Sequence, residues 1–136
     1  MLRRILPILH VLGMIVLGFG LSMLVPLLLS ELTRDGAQRA YDLAALITVG
    51  AGFLLWLLGR HWRSELKTRD GILLVVLTWT LLPAFAALPL LIYMPDLALA
   101  DAYFEAMSGL TATGATVLSG LDDLPQSINL WRAQLH

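Results

Sequence analysis

The chain is 136 residues long, 58% hydrophobic and only 14% charged, with a mean hydropathy of +0.79 and a net charge of −1. Soluble domains carry about a quarter of their residues as charges, so the apolar excess must face something other than a water-lapped core. The balanced charge gives no footing for a nucleic-acid partner, and the absence of cysteine excludes disulfides and thiolate metal sites.

Three runs contain no Asp, Glu, Lys or Arg: 5–30, 43–59 and 71–95. A bilayer core ~30 Å thick is crossed by about 20 helical residues. The first and third runs therefore span with tilt to spare, and the second lies near the short limit. The first follows a basic start, Arg3-Arg4, yet far exceeds the ~7–15 apolar residues of a signal peptide and is followed by no small-residue cleavage site. It is read as a spanning helix. Within it, His10 is an ionisable group one to two turns from the end, expected as a neutral hydrogen-bonded or snorkelling imidazole rather than a functional one. Gly13, Gly18 and Gly20 offer close helix approach.

The 31–40 connection turns at Asp35-Gly36. The basic 60–70 connection ends at Asp70, placed to cap the third helix. Pro83 and Pro89 are expected to bend that helix, which membrane helices tolerate when neighbours satisfy the freed carbonyls, and Pro95-Asp96 ends it. Arg3, Arg4, Arg60, Arg63, Lys67 and Arg69 fall on one side, against Arg34, Arg39 and Arg132 on the other. That asymmetry places the N-terminus and the 60–70 loop in the cytoplasm. Trp56 and Trp62 lie near one interface and Tyr41 near the other, as amphipathic rings prefer.

Residues 101–121 are too apolar for an ordinary loop and too rich in Gly, Ser and Thr for a spanning helix. Asp101 to Ser108 are expected to form about two helical turns with Asp101 as N-cap and Gly109 ending them. Residues 111–116 then run extended, and Asp122-Asp123-Leu124-Pro125 returns the chain to the external surface, with Pro125 opening a further helix. Non-helical backbone survives at membrane depth only inside protein or beside a water-filled path. A helix ending there directs about half a negative charge at a cation, and an extended run aims successive carbonyls at one axis in place of an ion's water shell. Gly114 supplies the conformational freedom such a run needs.

Phe104-Glu105-Ala106-Met107-Ser108-Gly109-Leu110-Thr111-Ala112-Thr113-Gly114-Ala115-Thr116 resembles the first pore-helix and filter segment of the Trk/Ktr/HKT superfamily, in particular the bacterial Trk membrane subunit. The likeness extends upstream to Arg34-Asp35-Gly36-Ala37-Gln38-Arg39-Ala40, and to Glu65-Leu66-Lys67-Thr68-Arg69-Asp70-Gly71 followed by Val75-Val76-Leu77-Thr78-Trp79-Thr80. It covers nearly the whole chain.

The resemblance implies an all-α integral membrane fold: three transmembrane helices, a re-entrant pore helix with its filter loop, and the start of a further helix. It implies a two-helix region over 1–59, a cytoplasmic loop over 60–70, and the first helix–pore loop–helix repeat, incomplete, over 71–136. By position, Ala112, Thr113, Gly114, Ala115 and Thr116 correspond to the family's potassium-coordinating run, with the carbonyls of Ala112 and Thr113 as metal ligands. Ala112 stands where the family commonly has threonine, which removes a hydroxyl and keeps the carbonyl.

The implied function is K⁺ uptake across the bacterial cytoplasmic (inner) membrane, with K⁺ as the transported ion and no covalently bound cofactor. The implied partners are a second full-length subunit and a cytoplasmic nucleotide-binding regulatory subunit, besides membrane lipid. The family carries four filter segments and this sequence one, so a piece of a longer transporter is expected rather than a four-copy assembly.

Glu105, Asp122 and Asp123 are candidate pore-mouth acids. Each has a plainer alternative: Glu105 as a partner for polar groups behind the run, the two aspartates as helix-start acids. The alternative for the whole chain is a non-transporting membrane assembly protein, or an inactive truncated product. The three histidines are scattered at 10, 61 and 136. With no phosphate-binding loop, dinucleotide glycine pattern or metal-ligand cluster, an enzyme is not expected.

Overall fold

The computed structural model describes residues 2–61 and 67–136; Trp62, Arg63, Glu65 and Leu66 lie outside them, as do the side chains of Arg3 and Arg4. Among the described residues the regular elements are helices: α1 (Leu2–Ser22), α2 (Leu24–Thr33), α3 (Gln38–Gly59), α4 (Thr68–Tyr93), α5 (Leu99–Leu110), a single 3₁₀ turn (Leu121–Asp123) and α6 (Gln126–Leu135). Among the described residues three stretches are long and apolar enough to cross a membrane: Ile5–Thr33, Gln38–Gly59 and Thr68–Tyr93. They coincide with the three charge-free runs of the sequence.

The first run is two helices rather than one. The break falls at Met23, three residues before Pro26, whose ring has no N–H for the carbonyl of Ser22. In contrast, Pro83 and Pro89 both lie inside α4 without ending it.

The chain forms two compact units, Met1–Ser22 with Leu46–Leu82, and Met23–Ala45 with Pro83–His136. In the first, glycines let α1 and α3 meet backbone to backbone. A Cβ on Gly13 would collide with the Trp56 amide, one on Gly52 would lie 2.7 Å from Leu17 N, and one on Gly59 would collide with the Leu6 carbonyl. Gly20 likewise sits 2.8 Å from the Val49 side chain at its would-be Cβ, whereas Gly18 has nothing within 4 Å. Leu6, His10, Gly13, Leu17 and Gly20 thus form a helical stripe antiparallel to Val49, Gly52, Trp56 and Gly59. Small residues on such stripes maximise van der Waals contact where lipid supplies no hydrophobic drive. His10 fits this packing: its Nδ1 lies 3.4 Å from the Trp56 carbonyl, with the two rings 6.1 Å apart.

At the start of α4 the Asp70 carboxylate accepts the Lys67 amide at 3.0 Å. Asp70 therefore caps from the third helical position, the reciprocal half of a capping box, rather than from the end.

The second unit is built around Tyr41, Leu90, Ile128 and Trp131, all fully buried. Trp131 donates its indole N–H to the Ala86 carbonyl at 3.0 Å and meets Tyr41 edge-on at 6.4 Å. Ala86 lies in the helical turn before Pro89, and its carbonyl takes this bond from the neighbouring helix α6. Leu46, Ile72, Val75 and Val76 remain broadly exposed on α3 and α4, as fits helices whose outer faces meet lipid or further protein.

Candidate functional site

The site lies in the second unit, where α5 gives way to irregular backbone. On α5, Ala102, Glu105, Ala106 and Gly109 are buried, the i, i+3, i+4, i+7 stripe of a helix with one packed face. Gly109 does not end the helix. It lets α6 come close, since a Cβ there would lie 2.7 Å from that of Leu135. Nor is Asp101 the N-cap: α5 begins two residues earlier, with Asp101 inside the first turn, where its charge suits the helix dipole.

The helix closes one residue beyond Gly109. The Thr113 amide donates to the Ser108 carbonyl (2.9 Å) and the Ala112 amide to the Gly109 carbonyl (2.8 Å). These are the paired bonds of a Schellman turn. Ala112 holds its left-handed position at φ 53°. Glycine is usual there, and a Cβ costs about 1–2 kcal/mol, which two backbone hydrogen bonds of about 1 kcal/mol each offset.

From Thr113 to Gly120 the backbone is neither helix nor strand. Ala112, Thr113, Gly114, Ala115 and Thr116 are all exposed along it. Gly114 takes φ +76°, with nothing within 4 Å of a would-be Cβ. Thus the Gly114 backbone geometry, rather than crowding, selects glycine.

This exposed run has a built rear side. Glu105 is only 3% exposed. Its Oε1 accepts Arg132 Nη2 at 2.6 Å and Nε at 2.7 Å. The Thr116 hydroxyl donates to the same carboxylate (3.0 Å to Oε1, 2.9 Å to Oε2), and the Val117 amide donates to Oε2 at 3.2 Å. The Thr116 oxygen in turn accepts the Leu118 amide at 3.1 Å and lies 3.4 Å from Arg132 Nη2. One turn along α5, the Ser108 hydroxyl donates to the Ala115 carbonyl at 2.6 Å.

A buried carboxylate is tolerated only when paired and hydrogen-bonded, and Glu105 has both. Ser108 falls inside the 104–116 stretch without a role of its own there, and Arg132 lies outside it. The available signal is that Ser108 stands three residues after Glu105 on one helix face.

Asp122 and Asp123 lie in the 3₁₀ turn, both exposed. Asp122 helps line a cavity of about 350 Å³ with Leu121, Asn129, Arg132, Ala133 and His136. Among the described residues, no hydrogen bond joins either aspartate to 112–116. The described residues hold no cluster of three or more His, Asp or Glu placed for a metal ion.

The TrkH family model, described as a cation transport protein, matches residues 38–136. The chain belongs to the TrkH family. It is 47% identical to the Trk system potassium uptake protein TrkH of Halomonas elongata, over 94% of this chain and 27% of that protein. To the TrkH of Escherichia coli K12 it is 43% identical, over 93% of this chain and 26% of the other, and to TrkG of the same strain 32%. The crystal structure of the potassium transporter TrkH from Vibrio parahaemolyticus superposes with a TM-score of 0.88 at 40% identity, covering 99% of this chain and 28% of that one. The chain thus spans about a quarter of the length of the relatives it matches. As a TrkH-family member with three apolar helices it is a multi-pass membrane protein, and the family is one of ion transporters, not enzymes.

Proposed function

We propose that this chain acts within a longer K⁺ uptake transporter of the bacterial cytoplasmic membrane, contributing one quarter of its selectivity filter. In this reading α5 is a re-entrant pore helix, and residues 112–116 are the K⁺-coordinating run. The carbonyls of Ala112 and Thr113 act as metal ligands, and Gly114 is the central glycine. The observation that carries it is the exposed, non-helical run issuing from the C-terminal end of α5 with Gly114 at φ +76°, in a chain of the TrkH family. The helix end lends partial negative charge, and the carbonyls replace the ion's hydration shell. Passage is driven by the membrane potential, worth about 2.3 kcal/mol per charge per 100 mV.

The same reading divides the chain into a region of two membrane spans over 1–59 (the first broken into α1 and α2, the second α3), a cytoplasmic loop over 60–70 and the first repeat over 71–136, with the N-terminus in the cytoplasm. A homodimer of full-length subunits and a cytoplasmic nucleotide-binding regulatory subunit accompany it through the family resemblance. Asp122 and Asp123 stay as candidate acids of the outer mouth.

The test is accessibility. The chain has no native cysteine, so Thr113→Cys in a full-length transporter otherwise free of cysteine gives one labelling site. Labelling from outside that slows as K⁺ rises supports the filter. Labelling indifferent to K⁺ supports a non-conducting surface loop and rejects it.

A further inference from the structure

The Glu105–Arg132 pair lies behind the exposed run, and the polar atoms of that run divide into two sets. The Thr116 hydroxyl gives its proton to Glu105 and accepts the Leu118 amide. The Ala115 carbonyl accepts the Ser108 hydroxyl. Both groups therefore point their hydrogen-bonding capacity at α5 rather than outward. Among the described residues, the carbonyls of Ala112, Thr113 and Gly114 accept no hydrogen bond.

Resting on the filter reading above, we propose that Glu105, Arg132 and Thr116 form a brace that sets the backbone of the run. K⁺ discrimination then depends on an ion pair that never touches the ion, and the Thr116 hydroxyl serves as strut rather than ligand.

The physical reason is stiffness. Carbonyl dipoles select between ions only if they cannot all collapse onto the smaller one, and the field strength at the site depends on how firmly they are held. A buried carboxylate accepting an arginine fork, a hydroxyl and a backbone amide is a strong anchor, because charge-assisted bonds are roughly twice as strong as neutral ones. Its bonds reach the run at Thr116 and Val117, and Arg132 fixes it in turn to α6, so two helices hold one end of the segment. The Schellman turn holds the other end at Thr113. Between these two anchors lie Gly114 and Ala115.

The brace makes a prediction that direct ligation by Thr116 does not. If Thr116 acts only through Glu105, removing either group disables the same device, and removing both does little more. The experiment compares Thr116→Val, Glu105→Gln and their double variant in the full-length transporter. The readout is the preference for K⁺ over Na⁺ in competition with Rb⁺ uptake, normalised to the amount of protein in the membrane. Each single change is expected to lower the preference on the order of tenfold, and the double by no more than the larger single. Arg132→Lys, which keeps the charge, is expected to retain more of the preference than Arg132→Gln.

Losses that multiply in the double variant would put the Thr116 hydroxyl on the ion itself and overturn the brace, as would an unchanged preference in both singles. Thr116→Val removes one hydroxyl at nearly constant volume. If Glu105→Gln does not reach the membrane, the same cycle is run with Arg132→Gln in its place. Gly114→Ser, assayed in parallel, separates the two failures. An unaffected Gly114 variant sinks the filter and the brace together, whereas a damaged one beside multiplying losses sinks only the brace.

Discussion

Asp35 Oδ2 accepts the backbone amide of Ser127 at 3.0 Å across 92 residues of sequence. Ser127 is the second residue of α6, so the turn between α2 and α3 caps the last helix, and a negative charge meets the positive end of its dipole. The other carboxylate oxygen accepts the Ser30 hydroxyl at 2.5 Å and the Ala37 amide at 3.1 Å. Tyr41 completes the joint by donating its hydroxyl to the Ser127 carbonyl at 2.9 Å.

This joint has a pH dependence of known sign. Burial pushes the Asp35 carboxyl upward, but hydrogen bonds from Ser30, Ser127 and Ala37 outweigh that and hold its pKa at about 2, below the ordinary 3.8. A depressed pKa stabilises the fold fully above the unfolded value and loses that contribution as pH falls through the folded one. Thermal stability in detergent is therefore expected to drop between about pH 4 and pH 2 more steeply in the native protein than in Asp35→Asn. At neutral pH Asp35→Ala, which removes both acceptor oxygens, is expected to be destabilised by about 0.5–2 kcal/mol, the range for losing an N-cap. Equal acid sensitivity in the native protein and Asp35→Asn would remove Asp35 from this role.

Trp131→Phe tests the tie between α4 and α6. The substitution keeps an aromatic side chain but trims the indole to a phenyl and deletes the N–H donated to the Ala86 carbonyl. The lost hydrogen bond is worth about 0.5–1.5 kcal/mol and the smaller ring leaves volume unfilled at a fully buried site, so lower stability is expected by thermal or denaturant unfolding. No loss would mean that the Trp131–Ala86 bond contributes nothing to the fold.

The glycine stripe makes a contrast within one helix pair. Gly13→Ala and Gly59→Ala each place a methyl into backbone, whereas Gly18→Ala meets nothing within 4 Å. Overpacking costs about 1–3 kcal/mol, and an alanine in open helix is favourable by up to about 1 kcal/mol. Gly13→Ala and Gly59→Ala should lower the melting temperature, and Gly18→Ala should hold or raise it. Equal behaviour of all three would argue against the α1–α3 contact.

Much of this was legible in the sequence, for reasons specific to each element. The three spans were readable because the bilayer excludes charge, and a charge-free run of sufficient length has few other uses. Pro26 sits inside such a run, where hydropathy hides a helix break, so α1 and α2 read as one element. Gly109 looked like a helix stop because glycine often is one. In the fold its lack of a side chain serves the approach of Leu135, a tertiary contact that no local pattern encodes.

The same holds for the polar partners. Glu105 was visible as an acid in the middle of an apolar helix, but its partner Arg132 lies 27 residues away. Asp35 read only as a turn residue because the amide it caps is distant in sequence. Local chemistry was readable; pairings across the fold were not.

The central claim is that 112–116 selects K⁺, and Gly114 is the position where it is most directly tested. In the full-length transporter, Gly114→Ser forces a side chain onto backbone at φ +76°, a strain of about 1–2 kcal/mol. It is expected to cut the preference for K⁺ over Na⁺ on the order of tenfold, since about 1.4 kcal/mol is a factor of ten, while the protein still reaches the membrane. Uptake with the native preference intact in that variant would contradict the account.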